Sequence, residues 1–184
     1  MHAHQPVKAV ANGEPTYEGM HDCSRAADWW QGEEAWLNLT SGGTMGVVYG
    51  AGSLWQWKLS ADEPGWDACL ESPGRSWREA LAQPGSRYPG LIRRALAAYD
   101  LVDMTLLPET SEHAVGKPGV FYCVYLPQGG GVTLHGLRGA LPYRWFDPRT
   151  GTWCGEGTVQ PAQPEIAAPS TDPWVLLAGE RRPL

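Results

Sequence analysis

Two carboxylates four residues apart, Glu14 and Glu18, stand in the stretch NGEPTYEG, residues 12–19. A short apolar run, Val7-Lys8-Ala9-Val10-Ala11, comes just before it, and Asn12-Gly13 is a turn signal that ends the run. A strand closed by glycine and followed by a carboxylate is how many barrel enzymes present a catalytic acid. Spacing alone is equally met by two solvated loop acids, because most surface glutamates are no more than that. Tyr17 lies between the two carboxylates and can hydrogen-bond either an acid or a substrate, or simply anchor the loop. A second aromatic group follows further on, with Tyr49, Trp55 and Trp57 in YGAGSLWQWK. Flat rings of this kind stack on the C–H faces of sugars, and they also fill cores and cover rims.

Other chemistries are excluded by what the chain carries. No G-x-S-x-G nucleophile elbow is present, and Gly129-Gly130-Gly131 joins two apolar runs without opening a helix, so it reads as a turn and not as a phosphate cradle. The pair His2 and His4 has no third ligand nearby, and His21 stands alone in a loop, so no metal site and no cofactor are expected. Cys23, Cys69, Cys123 and Cys154 are spaced too widely for a zinc motif or a compact disulfide framework. The net charge of −6 and the scattered basic residues give no footprint for nucleic acid. No apolar run approaches membrane-spanning length, and the first residues lack the charged and apolar regions of a signal peptide. Of 184 residues, 42% are hydrophobic, enough for one ordinary domain or two small ones. Trp is used 10 times and Phe only 2, which favours large amphipathic rings in cores and at interfaces.

The elements that would position these residues change character along the chain. Residues 7–11 read as a strand. A helix is expected from Ser24, capped by Ser24 or Asp22, with Ala26, Trp29, Trp30, Trp36 and Leu37 on one face and Gly42-Gly43 as its stop. Residues 44–52 read as a second, buried strand. Ser76-Trp77-Arg78-Glu79 fits a capping box, Pro84 interrupts, and 86–99 resumes helical spacing. Strand–helix–strand–helix argues βα units. After Asp103 helical periodicity stops. Apolar runs at 119–130, 131–137, 142–151 and 172–179 are separated by turns, the first two as a hairpin, and this predicts a small antiparallel β-sandwich. Asp147 and Arg149 fit a local turn pair, and Glu33-Glu34 read as a solvated or capping stretch.

The segments NGEPTYEGM, AADWWQGEEAWLNLTSGGTMGVVYGAGSLWQWK, YRWFDPRTGTW and PSTDPWVLLA together resemble the apiosidase-like glycoside hydrolases. The resemblance runs from about residue 6 to the C-terminus. It implies a (β/α)8 barrel followed by a small β-sandwich that carries a collagen-binding label. Such barrels begin well upstream of the NGEP-type motif, so the chain is expected to be a C-terminal portion. Residues 1–106 would hold the last two βα units of an incomplete barrel, and 107–184 the β-sandwich. The fold class expected is therefore α/β plus all-β.

The resemblance also implies roles. Glu14, just past the first strand, takes the place of a strand-seven nucleophile; Glu18 is the rival nucleophile or a substrate-orienting carboxylate. The acid/base partner would come from an earlier strand that this chain does not hold. Trp55 is the first choice for flooring a sugar subsite, with Tyr17, Tyr49 and Trp57 as further substrate contacts. Trp29, Trp30 and Trp36 are expected to pack helix against barrel. The expected partners are an oligo- or polysaccharide, of plant type or another complex kind, and an upstream-encoded barrel fragment. Export is common in the parent family. The alternatives are a carbohydrate- or matrix-binding module acting through the sandwich, and a non-functional remnant.

Overall fold

The computed structural model describes residues 8–20, 29–64 and 74–183. The expected N-cap at Ser24 or Asp22, with Ala26, His21, Cys23 and Cys69, lies outside the described residues. Among the described residues, four α-helices, α1 (Trp30–Thr40), α2 (Gly52–Trp55), α3 (Trp77–Ala80) and α4 (Arg87–Leu96), precede eight strands. These are β1 (Thr105–Leu106), β2 (Ala114–Lys117), β3 (Phe121–Leu126), β4 (Gly131–Thr133), β5 (Leu141–Asp147), β6 (Thr152–Val159), β7 (Glu165–Ala167) and β8 (Trp174–Gly179). A six-stranded sheet has the order β1-β2-β3-β8-β5-β6, and β4 pairs with β7 in a separate two-stranded sheet. All these pairings are antiparallel.

The centre of the larger sheet explains its own sequence. β3 reads FYCVYL and β8 reads WVLLAG, and every residue of both is buried. A strand covered on both faces has no reason to alternate apolar with polar. Side chains still alternate in direction. Phe121, Cys123, Tyr125, Val175 and Leu177 join one core cluster with α1 and α4. Tyr122, Val124, Leu126, Trp174, Leu176 and Ala178 join a second cluster with Val132 of β4 and Ile166 of β7. Each fully buried side chain of this size contributes about 1.5–3 kcal/mol relative to exposure.

The helices supply the cover on the first face. α4 buries Tyr88, Ile92, Ala95 and Leu96, at the spacing of a single helical stripe, and carries Arg93 and Arg94 in its last turn, where cations suit the helix dipole. α1 ends as expected, with Gly42 at φ 103° and the Gly43 amide closing on the Asn38 carbonyl at 2.7 Å. Trp36 of α1 is fully buried, its ring 6.4 Å from Tyr125 of β3 and 6.3 Å from Phe146 of β5. The tryptophan expected to pack a helix on a barrel thus packs it on the antiparallel sheet.

The fold is mixed α/β dominated by antiparallel sheet, and the described residues close no barrel. Two other expectations, a pair of strands at 7–11 and 44–52 and a hairpin over 119–137, are corrected. Of the two segments read as strands, 8–11 meets 44–52 through one isolated parallel bridge, Ala11 with Gly46, and the loop that follows adds a second, Glu18 with Ala51. Among the described residues neither finds a second neighbour, so no ladder builds, and Val48 at the centre of the expected buried strand is exposed. The hairpin expected between 119–130 and 131–137 also does not form. Gly129, at φ 61°, lies so close to Ser170 that a Cβ would stand 2.0 Å from the Ser170 carbonyl oxygen. The Ala168 amide then donates to the Gly130 carbonyl at 2.7 Å. The glycine turn therefore leads the chain out of the large sheet to pair with β7, and β3 takes β2 and β8 as neighbours.

Candidate active site

The NGEPTYEG loop is held from three directions. Within the loop, the Glu14 amide donates to Asn12 Oδ1 at 3.1 Å, an Asx turn that starts it. From α1, the Glu34 carboxylate accepts the Thr16 amide on both oxygens, at 3.2 and 3.0 Å. From the 44–52 segment, the Glu18 amide donates to the Gly50 carbonyl and the Gly52 amide to the Glu18 carbonyl, both at 2.9 Å. Gly50 is required for a steric reason. A Cβ there would stand 2.3 Å from the Tyr17 ring, so its absence lets Tyr17 lie across the backbone.

The two glutamates end in different surroundings. Glu18 is only 4% exposed. Its Oε2 accepts the Tyr49 hydroxyl at 2.6 Å and the Gly85 amide at 3.0 Å. The Gly85 amide belongs to the 3-10 turn Pro84–Ser86 that leads into α4, so this carboxylate ties three segments together. Burial pushes the Tyr49 phenol far above its ordinary range, and the hydrogen bond to Glu18 and that carboxylate's charge add to the shift. Tyr49 therefore keeps its proton and stays a donor to Glu18.

Glu14 is exposed. It lines an open depression of about 270 Å³ with Pro15, Thr16, Tyr17, Met20 and Trp55. Tyr17 and Trp55 stand 6.1 Å apart at 46°, two tilted rings beside one carboxylate. Trp55 is 55% exposed at the end of α2. Of the six candidate residues, the structure brings Glu14, Tyr17 and Trp55 together. It sets Glu18 and Tyr49 apart as a hydrogen-bonded pair, the carboxylate buried and the phenol half-buried. Trp57 stands apart, stacked on Trp77. Among the described residues, no group of three or more His, Cys, Asp or Glu side chains could hold a metal ion, and no helix is long and apolar enough to cross a membrane.

Chemically, an exposed carboxylate beside two rings can attack an electrophilic carbon or activate water while the rings hold an apolar face. Glu14 is the only carboxylate lining the depression among the described residues. The sequence reading missed Glu34, assigned no task there and here the clamp on Thr16, and Gly85. Neither has a local signal, since Glu34 lies 18 residues from its partner and Gly85 67 from Glu18.

Residues 1–103 match the model of the apiosidase-like catalytic domain. A solved structure named a glycoside hydrolase superposes with a TM-score of 0.72 at 18% identity, over 97% of this chain and 44% of that one. A glycoside hydrolase family 5 protein from Bacteroides vulgatus ATCC 8482 superposes with a TM-score of 0.69 at 18% identity, over 97% of this chain and 42% of that one. The chain thus spans less than half the length of the solved structures it matches. Comparison with curated proteins gives no match. With its family model covering the NGEPTYEG loop, the helix α1 and the Pro84–Ser86 turn that hold it, and the 44–52 segment, the chain belongs to the apiosidase-like glycoside hydrolase family.

Proposed function

We propose that this chain is the C-terminal portion of a glycoside hydrolase acting on a plant-type or other complex polysaccharide, with Glu14 as its nucleophile. The observation that carries this reading is the division of labour between the two glutamates. Glu14 opens into the depression beside Tyr17 and Trp55, whereas both donors on Glu18 Oε2 are internal. In this reading residues 1–106 are the last two βα units of a barrel and 107–184 a β-sandwich. Glu18 orients the loop, Tyr49 fixes Glu18, and Tyr17 and Trp55 support the sugar.

Glycoside hydrolysis needs a second carboxyl group, about 5–5.5 Å away for a retaining outcome or about 6.5–9.5 Å for an inverting one. The first carboxylate attacks the anomeric carbon, or activates water, as the bond to the leaving oxygen breaks; the second donates a proton to that oxygen. Among the described residues the depression offers one carboxylate, and in this reading the proton donor comes from a polypeptide segment outside this chain. The same segment would pair with the bare flanks of residues 8–11 and 46–51 and cover Met45, which is 70% exposed.

The test is turnover of aryl glycosides by the 184-residue chain, alone and co-expressed with the first six βα units of an apiosidase-like barrel. No turnover alone, turnover with the added segment, and its loss in Glu14→Gln are expected. Turnover by the chain alone overturns the external proton donor. Turnover that survives Glu14→Gln in the complemented protein overturns the nucleophile.

A further inference from the structure

Trp57 lies outside the Glu14 depression and is the more unusual tryptophan. It is 63% exposed, and its backbone sits at φ 54°, a left-handed conformation that large side chains rarely adopt. Several hydrogen bonds hold it there. The Trp57 amide donates to the Leu54 carbonyl at 3.1 Å, the Lys58 amide to the Ser53 carbonyl at 3.2 Å, and the Trp77 amide to the Lys58 carbonyl at 2.8 Å. The last bond brings the start of α3 against the loop. The indoles of Trp57 and Trp77 are then 5.1 Å apart and within 4° of parallel. The Arg78 guanidinium lies 4.4 Å from the Trp77 ring centroid. α3 is itself fixed by a complete capping box between Ser76 and Glu79.

A backbone of this kind costs on the order of 1–3 kcal/mol and persists only where its surroundings over-determine it. Packing alone does not account for it, because the strained turn leaves the large ring mostly in water, where its apolar area is unfavourable. What the turn provides is a flat indole, pre-oriented by a second indole. We propose that Trp57, backed by Trp77, is a second carbohydrate-stacking platform, which takes one pyranose ring of an oligosaccharide by its C–H face. The electron-rich indole face meets the weakly positive C–H groups. The sugar hydroxyls at the ring edge stay in water, so no polar group is buried without a partner. Preorganisation by Trp77 removes part of the ordering cost of binding. Trp55, two residues earlier, belongs to the depression, so a single loop carries both platforms.

This inference rests on reading the chain as carbohydrate-active, and not on the role of Glu14. The test follows indole N–H signals of the 184-residue chain by NMR during titration with cellohexaose, xylohexaose and mannohexaose. Shifts at Trp57 and Trp77 with at least one hexasaccharide are expected. Trp57→Ala should weaken that binding about tenfold or more, while Trp57→Phe retains a flat ring and part of the affinity. An unchanged Trp36 signal verifies the fold of each variant. If none of the three hexasaccharides moves the Trp57 signal, or if Trp57→Ala binds like the parent chain, the second platform is overturned. Binding abolished by Trp55→Ala and untouched by Trp57→Ala overturns it while leaving the Glu14 depression standing. Binding at Trp57 together with turnover that survives Glu14→Gln in the complemented protein overturns the nucleophile and leaves the platform.

Discussion

The central sheet and the NGEPTYEG loop are stabilised by different means. β3 and β8 have neighbours on both edges and cover on both faces, so their conformation is fixed many times over by ladder bonds and buried side chains. The loop and the 44–52 segment have two bridges, one exposed flank and a few side-chain hydrogen bonds. The sheet therefore tolerates the loss of any one contact far better than the loop does. In the loop, single polar groups such as Glu18 and Glu34 set the geometry that the candidate nucleophile inherits.

The contrast can be broken most strongly at the point where the two regions meet. Trp36→Ala removes a fully buried ring between α1 and the sheet and should destabilise the whole molecule by about 3–5 kcal/mol, read as a lowered midpoint in denaturant. A smaller loss would show that α1 is not the joint between the regions. Glu18→Ala should act on the loop alone. It leaves the buried Gly85 amide without an acceptor, at about 1–3 kcal/mol, and the half-buried Tyr49 hydroxyl at less. Hydrogen exchange should accelerate at Gly85 and leave β3 and β8 protected; equal loss in the sheet would refute the separation. Gly85→Ala tests the same anchor sterically, because a Cβ there would lie 2.3 Å from Glu18 Oε2. Overpacking of this kind costs about 1–3 kcal/mol, and the Tyr49 contact should loosen with it.

Two smaller effects sharpen the comparison. Tyr49 holds its proton more tightly folded than unfolded, so its contribution is fully present below the unfolded phenol's pKa of about 10 and declines as pH rises above that value. Gly85 exchange, corrected for the intrinsic pH dependence, should be flat through neutral pH and increase only in the alkaline range. A loss of protection between pH 6 and 8 would contradict the assignment. In the sheet, burial pushes the Cys123 thiol up to about 12, while Cys154 on β6 is exposed. Peptide mapping after thiol alkylation near neutral pH should find Cys154 labelled and Cys123 untouched; rapid labelling of Cys123 would mean that the sheet opens.

The elements legible in the sequence are those whose signal is local. The Ser76–Glu79 capping box, the amphipathic stripe of α4, the Gly42-Gly43 stop and the apolar run of β8 are each complete within about a dozen residues, and each is present. The Asp147–Arg149 turn pair is likewise local and forms at 3.1 Å. The partners of β3 and β4 were not legible, because the choice between a hairpin and a crossover is made by the packing of Gly129 on Ser170, far along the chain. Residues 44–52 have the composition of a buried strand, yet composition does not supply the neighbour that a strand needs. Within the site, sequence singled out both glutamates. Their separation into an exposed carboxylate and a buried anchor depends on Tyr49 and Gly85, which no spacing rule connects to Glu18.

Helix α1 grips the loop with Glu34 on one side and buries Trp36 in the sheet on the other. The loop is consequently not a portable motif. Transplanting NGEPTYEG into another scaffold, or expressing residues 1–106 by themselves, would remove the surface against which its clamp is braced and bare an indole to water. The smallest inheritable unit of this site includes the sheet that braces it, and recombination that exchanges one without the other should yield loops that keep their glutamates and lose their shape.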